Sequence, residues 1–278
     1  MLKIDAHQHF WKYRPDDYGW ISEEMSVLKK DYLPEELHGH LKANGFDGCI
    51  GVQARQNKDE NDFLLGLASD YPFILGVVGW VDLQSDDVEK KLDRLSGHPA
   101  LCGIRHLVQD EPDDKFLLRD KFLRGMKCLK KYDLCYDILI FQKHLQAAET
   151  FVKQFPDQRF VIDHLAKPDI RNHILEPWAS GMKRIAKHPN VGCKLSGMVT
   201  EAKWRDWSKA DFRPYLDVVL EAFGADRLLI GSDWPVCKLA GEYDEVIGIV
   251  RNYMSRLSSN EQEKIYGGNA MRFYGLRE

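Results

Sequence analysis

GCIGVQ at residues 48–53 and ILGVVGWV at residues 74–81 are apolar from end to end apart from one closing glutamine. So short and unbroken an apolar run suits a strand covered on both faces, as in a parallel sheet. A strand with one wet face would alternate apolar and polar positions instead. LLIG at 228–231 has the same character. Reading outward from these stretches, eight such runs recur, at 3–9, 48–53, 74–81, 101–106, 134–140, 159–164, 191–196 and 227–232. Each ends in polar residues, and amphipathic helical stretches lie between them. Eight alternations with short links predict a single closed (β/α)8 barrel of the TIM type, an α/β fold spanning 1–278 as one domain. The length of 278 residues suits one such barrel. An open doubly wound sheet is the main rival, but it usually has fewer strands.

The helical stretches carry their own punctuation. PEELHGHLKANG starts on Pro34 and stops at Asn44 and Gly45, and SDDVEKKLDRLSG offers Ser85 as an N-cap and Gly97 as a stop. Further helices are expected to begin near Phe116, Lys143, Leu175, Asp211 and Tyr243. A last one, 260–273, is expected to pack on the end of the barrel. Two connections are longer than packing needs. The first, 10–33, holds Phe10, Trp11, Tyr13, Tyr18, Trp20 and Tyr32; the second, 197–210, holds Trp204 and Trp207. Both follow strands and are expected over the barrel mouth, where long ordered loops usually serve function.

A net charge of −4 provides no electrostatic pull toward nucleic acid. No apolar run approaches the ~20 residues of a membrane span, and the opening Met1-Leu2-Lys3-Ile4-Asp5 has no leader pattern, so the cytoplasm is the expected location. The six cysteines show no C-x-x-C spacing and read as free, mostly buried thiols. Oligomeric state is not legible.

In a barrel of this kind the C-terminal strand ends converge on one site. Those ends hold His7-Gln8-His9, Gln53, Trp80 with Asp82, Arg105-His106, Tyr136-Asp137, Asp163-His164, Lys194 with Ser196, and Ser232-Asp233-Trp234. His7 and His9 are two apart on a strand, so both imidazoles point to the same side and make a bidentate start for a divalent metal. The chain has no G-x-G-x-x-G, no G-x-x-x-x-G-K, no G-x-S-x-G and no H-E-x-x-H. Nucleotide binding, serine hydrolysis and zincin chemistry are therefore disfavoured.

DAHQHFW at 5–11, GIRH at 103–106, DHLAKP at 163–168, KLSG at 194–197, GSDWP at 231–235 and GGNAMRFYGL at 267–276 resemble, in the same order, the lactonase branch of the amidohydrolase superfamily. Known members of that branch hydrolyse sugar lactones such as fuconolactone and rhamnonolactone. The resemblance implies that His7, His9, His164 and Asp233 line a mononuclear-type site. It departs from metal-rich relatives at strand 5, which ends Tyr136-Asp137-Ile138 with no histidine, and strand 4 has no lysine placed to bridge two metals. One zinc, or no metal, is the resulting expectation.

Lactone hydrolysis needs an activated water, a stabilised oxyanion and a proton for the leaving alkoxide. Asp233 is the candidate base, assisted by His164. Arg105, His106 and Lys194 are candidates for the oxyanion. Trp11, Trp80 and Trp234 are candidates to stack on a sugar ring, with Gln53 and Lys194 among the polar groups that bind it. Two other readings stay open: a metal-dependent decarboxylase of the same superfamily, and a non-catalytic barrel that binds a sugar acid.

Overall fold

The computed structural model describes residues 1–276. Eight parallel strands form one sheet in sequence order: β1 Ile4–Gln8, β2 Gly48–Val52, β3 Ile74–Gly79, β4 Leu101–His106, β5 Cys135–Ile138, β6 Phe160–Ile162, β7 Val191–Leu195 and β8 Leu228–Ile230. The seam between β1 and β8 is bridged just past the end of β8. The Asp233 amide donates to the His7 carbonyl at 2.8 Å, and the His9 amide donates to the Trp234 carbonyl at 2.7 Å. The backbone that closes the barrel thus belongs to residues whose side chains were expected to form the site.

The register of β1 against β2 shifts between Asp5 and Gln8. By alternation Ile4 and Ala6 join the inner core, while Asp5 turns out toward the helices and accepts from Ser232 Oγ at 2.6 Å and Tyr243 Oη at 3.0 Å. His7 and His9 both turn inward above Ala6. The inner core is a column of apolar side chains that includes Ile50, Val52, Val78, Cys102, Cys135, Val161 and Leu229. A second, larger apolar layer lies between the barrel and its helices.

Those helices are α1 Pro34–Ala43, α2 Lys58–Asp70, α3 Val88–Ser96, α4 Asp120–Leu129, α5 Leu145–Lys153, α6 Trp178–Ile185, α7 Lys209–Phe223 and α8 Tyr243–Met254. Helix α2 is absent from the sequence reading. Its Asn57 cap, accepting from the Glu60 amide at 2.9 Å, is legible, but a run of charged residues hides the short apolar stripe of Leu64 and Leu65. Ser85 is not the cap of α3. The helix begins after Asp87, and the Ser85 hydroxyl bonds to the Asp87 carboxylate instead. Helix α4 starts four residues after the expected Phe116, because 116–118 form a separate 3-10 turn.

The C-terminal segment, α9 Ser259–Glu263 and α10 Asn269–Tyr274, joined by a π-turn, covers the end of the barrel opposite the strand tips. Ala270, Phe273 and Tyr274 complete the inner core. All six cysteines are free, five of them buried and Cys128 partly so. No helix among the described residues is long and apolar enough to cross a membrane.

Candidate active site

Four side chains meet at the strand tips. His7 Nε2 lies 3.2 Å from His9 Nε2 and 3.8 Å from Asp233 Oδ1. Asp233 Oδ1 is also 3.4 Å from His9 Nε2 and 3.8 Å from His164 Nε2. All four residues are buried. His9 Nδ1 lies 2.7 Å from the Val52 carbonyl, an acceptor only, so Nδ1 carries the proton and the Nε2 lone pair faces the centre. His164 Nδ1 contacts Ser196 Oγ at 2.9 Å, which likewise turns Nε2 inward.

The backbone supports these directions. His164, Leu165, Ala166 and Lys167 all have positive φ, between 50° and 56°. For residues with a Cβ this costs roughly 1–2 kcal/mol each, a strain typical of functional turns. The turn is held from outside by Trp178, whose indole N–H donates to the Leu165 carbonyl at 2.6 Å. Two motif glycines have steric reasons. A Cβ on Gly197 would stand 2.4 Å from His164 Nδ1, and one on Gly231 would stand 2.8 Å from His7 Cβ.

The electrostatics favour a deprotonated centre. Burial by itself would raise the Asp233 carboxyl, but the imidazoles of His164, His9 and His7 around it hold it well below the usual carboxylate range. Burial lowers His164 to about 4, against the pull of Asp233 and Asp163, and lowers His7 well below the ordinary imidazole value. At neutral pH, His7 and His164 are therefore neutral and Asp233 is ionised.

A second layer braces the first. Asp163, next to His164 in the chain, points into the barrel. It pairs with Arg105 Nη1 at 3.0 Å, Lys194 Nζ at 2.9 Å and His7 Nδ1 at 3.3 Å. Burial would raise its carboxyl too, but Lys194, His7 and Arg105 hold it well below the ordinary value. Lys194 also pairs with Asp137 Oδ2 at 2.6 Å and approaches His7 Nδ1 to 3.0 Å. Tyr274 of α10 donates from below to Asp137 at 2.9 Å. The Asp163 and Asp137 carboxylates were visible in the sequence, but nothing along the chain signals that they share Lys194.

Above the four residues opens a cavity of about 270 Å³. His9, Arg105, His164 and Asp233 form part of its lining, and Trp11 and Trp20 reach it from the long first loop. Trp204, Lys167, Glu201 and Gln109 also line it; Trp204 belongs to the second long loop expected over the mouth and Lys167 lies just behind the tip of β6, whereas the sequence reading gave Glu201 and Gln109 no role.

Several other expected site residues lie elsewhere. His106 follows Arg105 in β4, so alternation turns it outward, where it stacks on Phe116 and pairs with Glu111 at 2.7 Å. Trp80 donates to His106 at 3.3 Å and lines a separate cavity beside α3. Trp234 is wholly buried against Phe10 and Tyr32. Lys194 lies below the cavity in the ion-pair layer, with no exposed surface. Gln53 is behind Arg105, with its Oε1 accepting from Nη2 at 3.2 Å and its Nε2 donating to the Arg105 carbonyl at 3.2 Å. It positions Arg105 and does not face the cavity.

The donor set suits a metal. Ligands of one tetrahedral zinc stand about 3.3 Å apart, given Zn–N lengths of about 2.0–2.1 Å. The separations of 3.2–3.8 Å around His7 Nε2 and Asp233 Oδ1 fall close to that. His7, His164 and Asp233 present ligand atoms all within 4.8 Å of one another. Asp163 beside His7 Nδ1 supplies the outer carboxylate common behind metal-bound histidines.

A barrel whose β1 tip presents two imidazoles facing an aspartate past β8 defines a class, and the chain belongs to it: the amidohydrolase family matches residues 4–276. Within that family it is 43% identical to an L-fucono-1,5-lactonase of Burkholderia multivorans, over 100% of this chain and 97% of the relative. It is 36% identical to an L-fucono-1,5-lactonase of Burkholderia ambifaria, over 99% and 96%. The crystal structure of a Burkholderia multivorans amidohydrolase with bound zinc superposes with a TM-score of 0.96, at 42% identity and with both chains fully covered.

Proposed function

We propose that this chain hydrolyses the ring ester of a sugar lactone, of the L-fucono-1,5-lactone or rhamnonolactone kind, to the open sugar acid. The observation that carries this reading is the Asp233 carboxylate, held ionised at the floor of a cavity that Arg105 and three tryptophans also line. The relatives matched along the whole chain carry the lactonase name. A cavity with largely apolar walls and a few polar groups is what a deoxy sugar ring requires.

In this reading Asp233 accepts a proton from the attacking water as it adds to the lactone carbonyl, and later returns it to the ring oxygen as the C–O bond breaks. The unprotonated Nε2 of His9 and the inward-facing Nε2 of His164 help to orient that water. Arg105 faces the charge that develops on the carbonyl oxygen, held in place by Asp163 and Gln53. Trp20 and Trp204 offer apolar surface to the ring, with the buried Trp11 packed behind Trp20, and orienting the ring in this way lowers the barrier.

His7, His9, His164 and Asp233 are the residues that would hold one divalent ion, with zinc the best fit to nitrogen and carboxylate donors. When bound it polarises the carbonyl or acidifies the water. A panel of lactones read with a pH indicator, with and without chelator, tests the reaction. Proton release on sugar lactones is expected, and release on none of them would refute the reading. Elemental analysis should find at most one ion per chain; two would overturn the mononuclear assignment.

A further inference from the structure

One part of the cavity wall has no place in the bond-breaking chemistry. Glu201 ends a short 3-10 turn, Val199–Glu201, after β7, and Lys167 ends the left-handed turn after β6. Both line the cavity beside Trp204. Their nearest charged atoms, Lys167 Nζ and Glu201 Oε1, are 3.8 Å apart, too far for a hydrogen bond. Among the described residues no hydrogen bond reaches the Glu201 carboxylate, although its side chain is only 21% exposed. The neighbouring Thr200 hydroxyl donates to the Gly197 carbonyl and is not available to it. Gln109 lines the same cavity, and its buried Oε1 also has no partner.

Largely buried polar groups without partners are uncommon, and each calls for a water, an ion or a ligand. Here a carboxylate and an ammonium that meet only as a long ion pair, the ammonium also lying over the Phe141 ring, share one cavity with an unpartnered amide oxygen and a wall of tryptophans. A carboxylate accepts two hydrogen bonds side by side, which matches two neighbouring hydroxyls on a ring, while an ammonium donates to their oxygens. Aromatic faces cover the apolar side of such a ring. Arg105, the other cation of the lining, is already held by Asp163 and Gln53.

We infer that Glu201 and Lys167, with Gln109, form the hydroxyl-reading subsite of this cavity, selecting lactones that carry ring hydroxyls over unsubstituted ones. The inference rests on the lactonase reading for its substrate but on different residues. Burial, which pushes the Glu201 carboxyl up, is consistent with a group that gains by accepting hydroxyl donors.

The test compares kcat/KM for a 6-deoxyhexono-1,5-lactone with that for δ-valerolactone, in wild type, Glu201→Gln and Lys167→Met. Gln is nearly isosteric, and circular dichroism and melting confirm that each variant folds. Glu201→Gln is expected to lower the sugar-to-plain selectivity ratio at least ten-fold, with most of the loss in KM for the sugar lactone. Lys167→Met is expected to lower it by a smaller factor. Equal losses on both lactones, or an unchanged ratio, would overturn the inference. Should wild type hydrolyse neither lactone, the lactonase reading fails while the subsite remains testable by calorimetry with the corresponding sugar acid. Binding at least ten-fold weaker in Glu201→Gln would then support the subsite, and equal or absent binding would overturn it.

Discussion

Replacing one oxygen of Asp233 with nitrogen is the smallest change that tests the reaction centre. Asp233→Asn keeps the shape and the backbone bond to His7, so the seam of the barrel should hold. It removes the only group at the centre that is anionic at neutral pH and able to take a proton from water. We expect kcat on the best sugar lactone to fall about 10²-fold or more, with the melting curve little changed. Metal content read on the same sample separates the two roles of this side chain: unchanged content with lost turnover identifies a base, and a parallel loss of metal identifies a ligand. The same residues set the acid limb of the rate profile. Activity needs Asp233 ionised and His164 unprotonated, and it is lost as pH falls through their folded-state values. Asp233 lies well below the usual carboxylate range and His164 at about 4, so kcat/KM should stay level through 6.5 and decline only on approach to about 4. An inflection near 6.5 would mean that a histidine with ordinary exposure governs the reaction. At this scale much of the centre was legible, because the two imidazoles of H-x-H on a strand share one side by period; that this side is the inner one depends on the register shift between Asp5 and Gln8, which the sequence does not announce. His106 could have been excluded by alternation, since Arg105 and His106 are consecutive in β4 and cannot both face the cavity, whereas Trp80 and Trp234 lie just past their strands, where period no longer fixes direction.

Among the elements, the turn after β6 carries the most strain and positions His164. Four left-handed residues in a row persist because their surroundings leave no alternative: Trp178 bonds to the Leu165 carbonyl, and Gly197 from the end of β7 leaves room for the imidazole. Gly197→Ala places a methyl 2.4 Å from His164 Nδ1 at a φ of +62°. The expected result is a stability loss of about 1–3 kcal/mol and at least a ten-fold fall in turnover. Gly45→Ala is the matched control. Its φ is +69°, but nothing lies within 4 Å of the new carbon, so it pays the backbone cost alone and should leave turnover intact. If both variants behave alike in melting and in rate, Gly197 does not hold the histidine. The contrast between turns and strands also explains what was readable at this scale. A strand buried on both faces announces itself through uninterrupted apolar residues, as GCIGVQ does. A left-handed turn written Asp-His-Leu-Ala-Lys has no glycine to betray it, and α2 lies behind a charged surface with few apolar positions.

Across the whole molecule, a chain of buried polar contacts links the closed end of the barrel to the open one. Tyr274, from the last helix, donates to Asp137; Asp137 pairs with Lys194; Lys194 pairs with Asp163 and touches His7. Every member of this chain is buried. The sequence predicted a terminal helix against the barrel's end, but not that its tyrosine would satisfy a carboxylate in the barrel interior, because that contact joins residues 137 positions apart. The arrangement has an energetic reason. Lys194 is one cation shared by two carboxylates, so Asp137 needs a further donor. Burial pushes its carboxyl up to about 6 even with Lys194 beside it. Tyr274→Phe removes that donor while keeping the ring that completes the inner core. An unsatisfied buried acceptor costs about 1–3 kcal/mol, and in a chain of this length each kcal/mol lowers Tm by about 2–4 °C. We therefore expect Tyr274→Phe to melt several degrees lower. Turnover should stay within a few-fold of wild type, because Lys194 retains Asp163 and the reaction centre retains its own braces. Thermal melting beside steady-state kinetics on one sugar lactone reads both quantities. An unchanged Tm would show that Asp137 finds another partner, and a collapse of kcat at constant Tm would show that the C-terminal helix tunes the reaction centre through Lys194 rather than merely sealing the barrel.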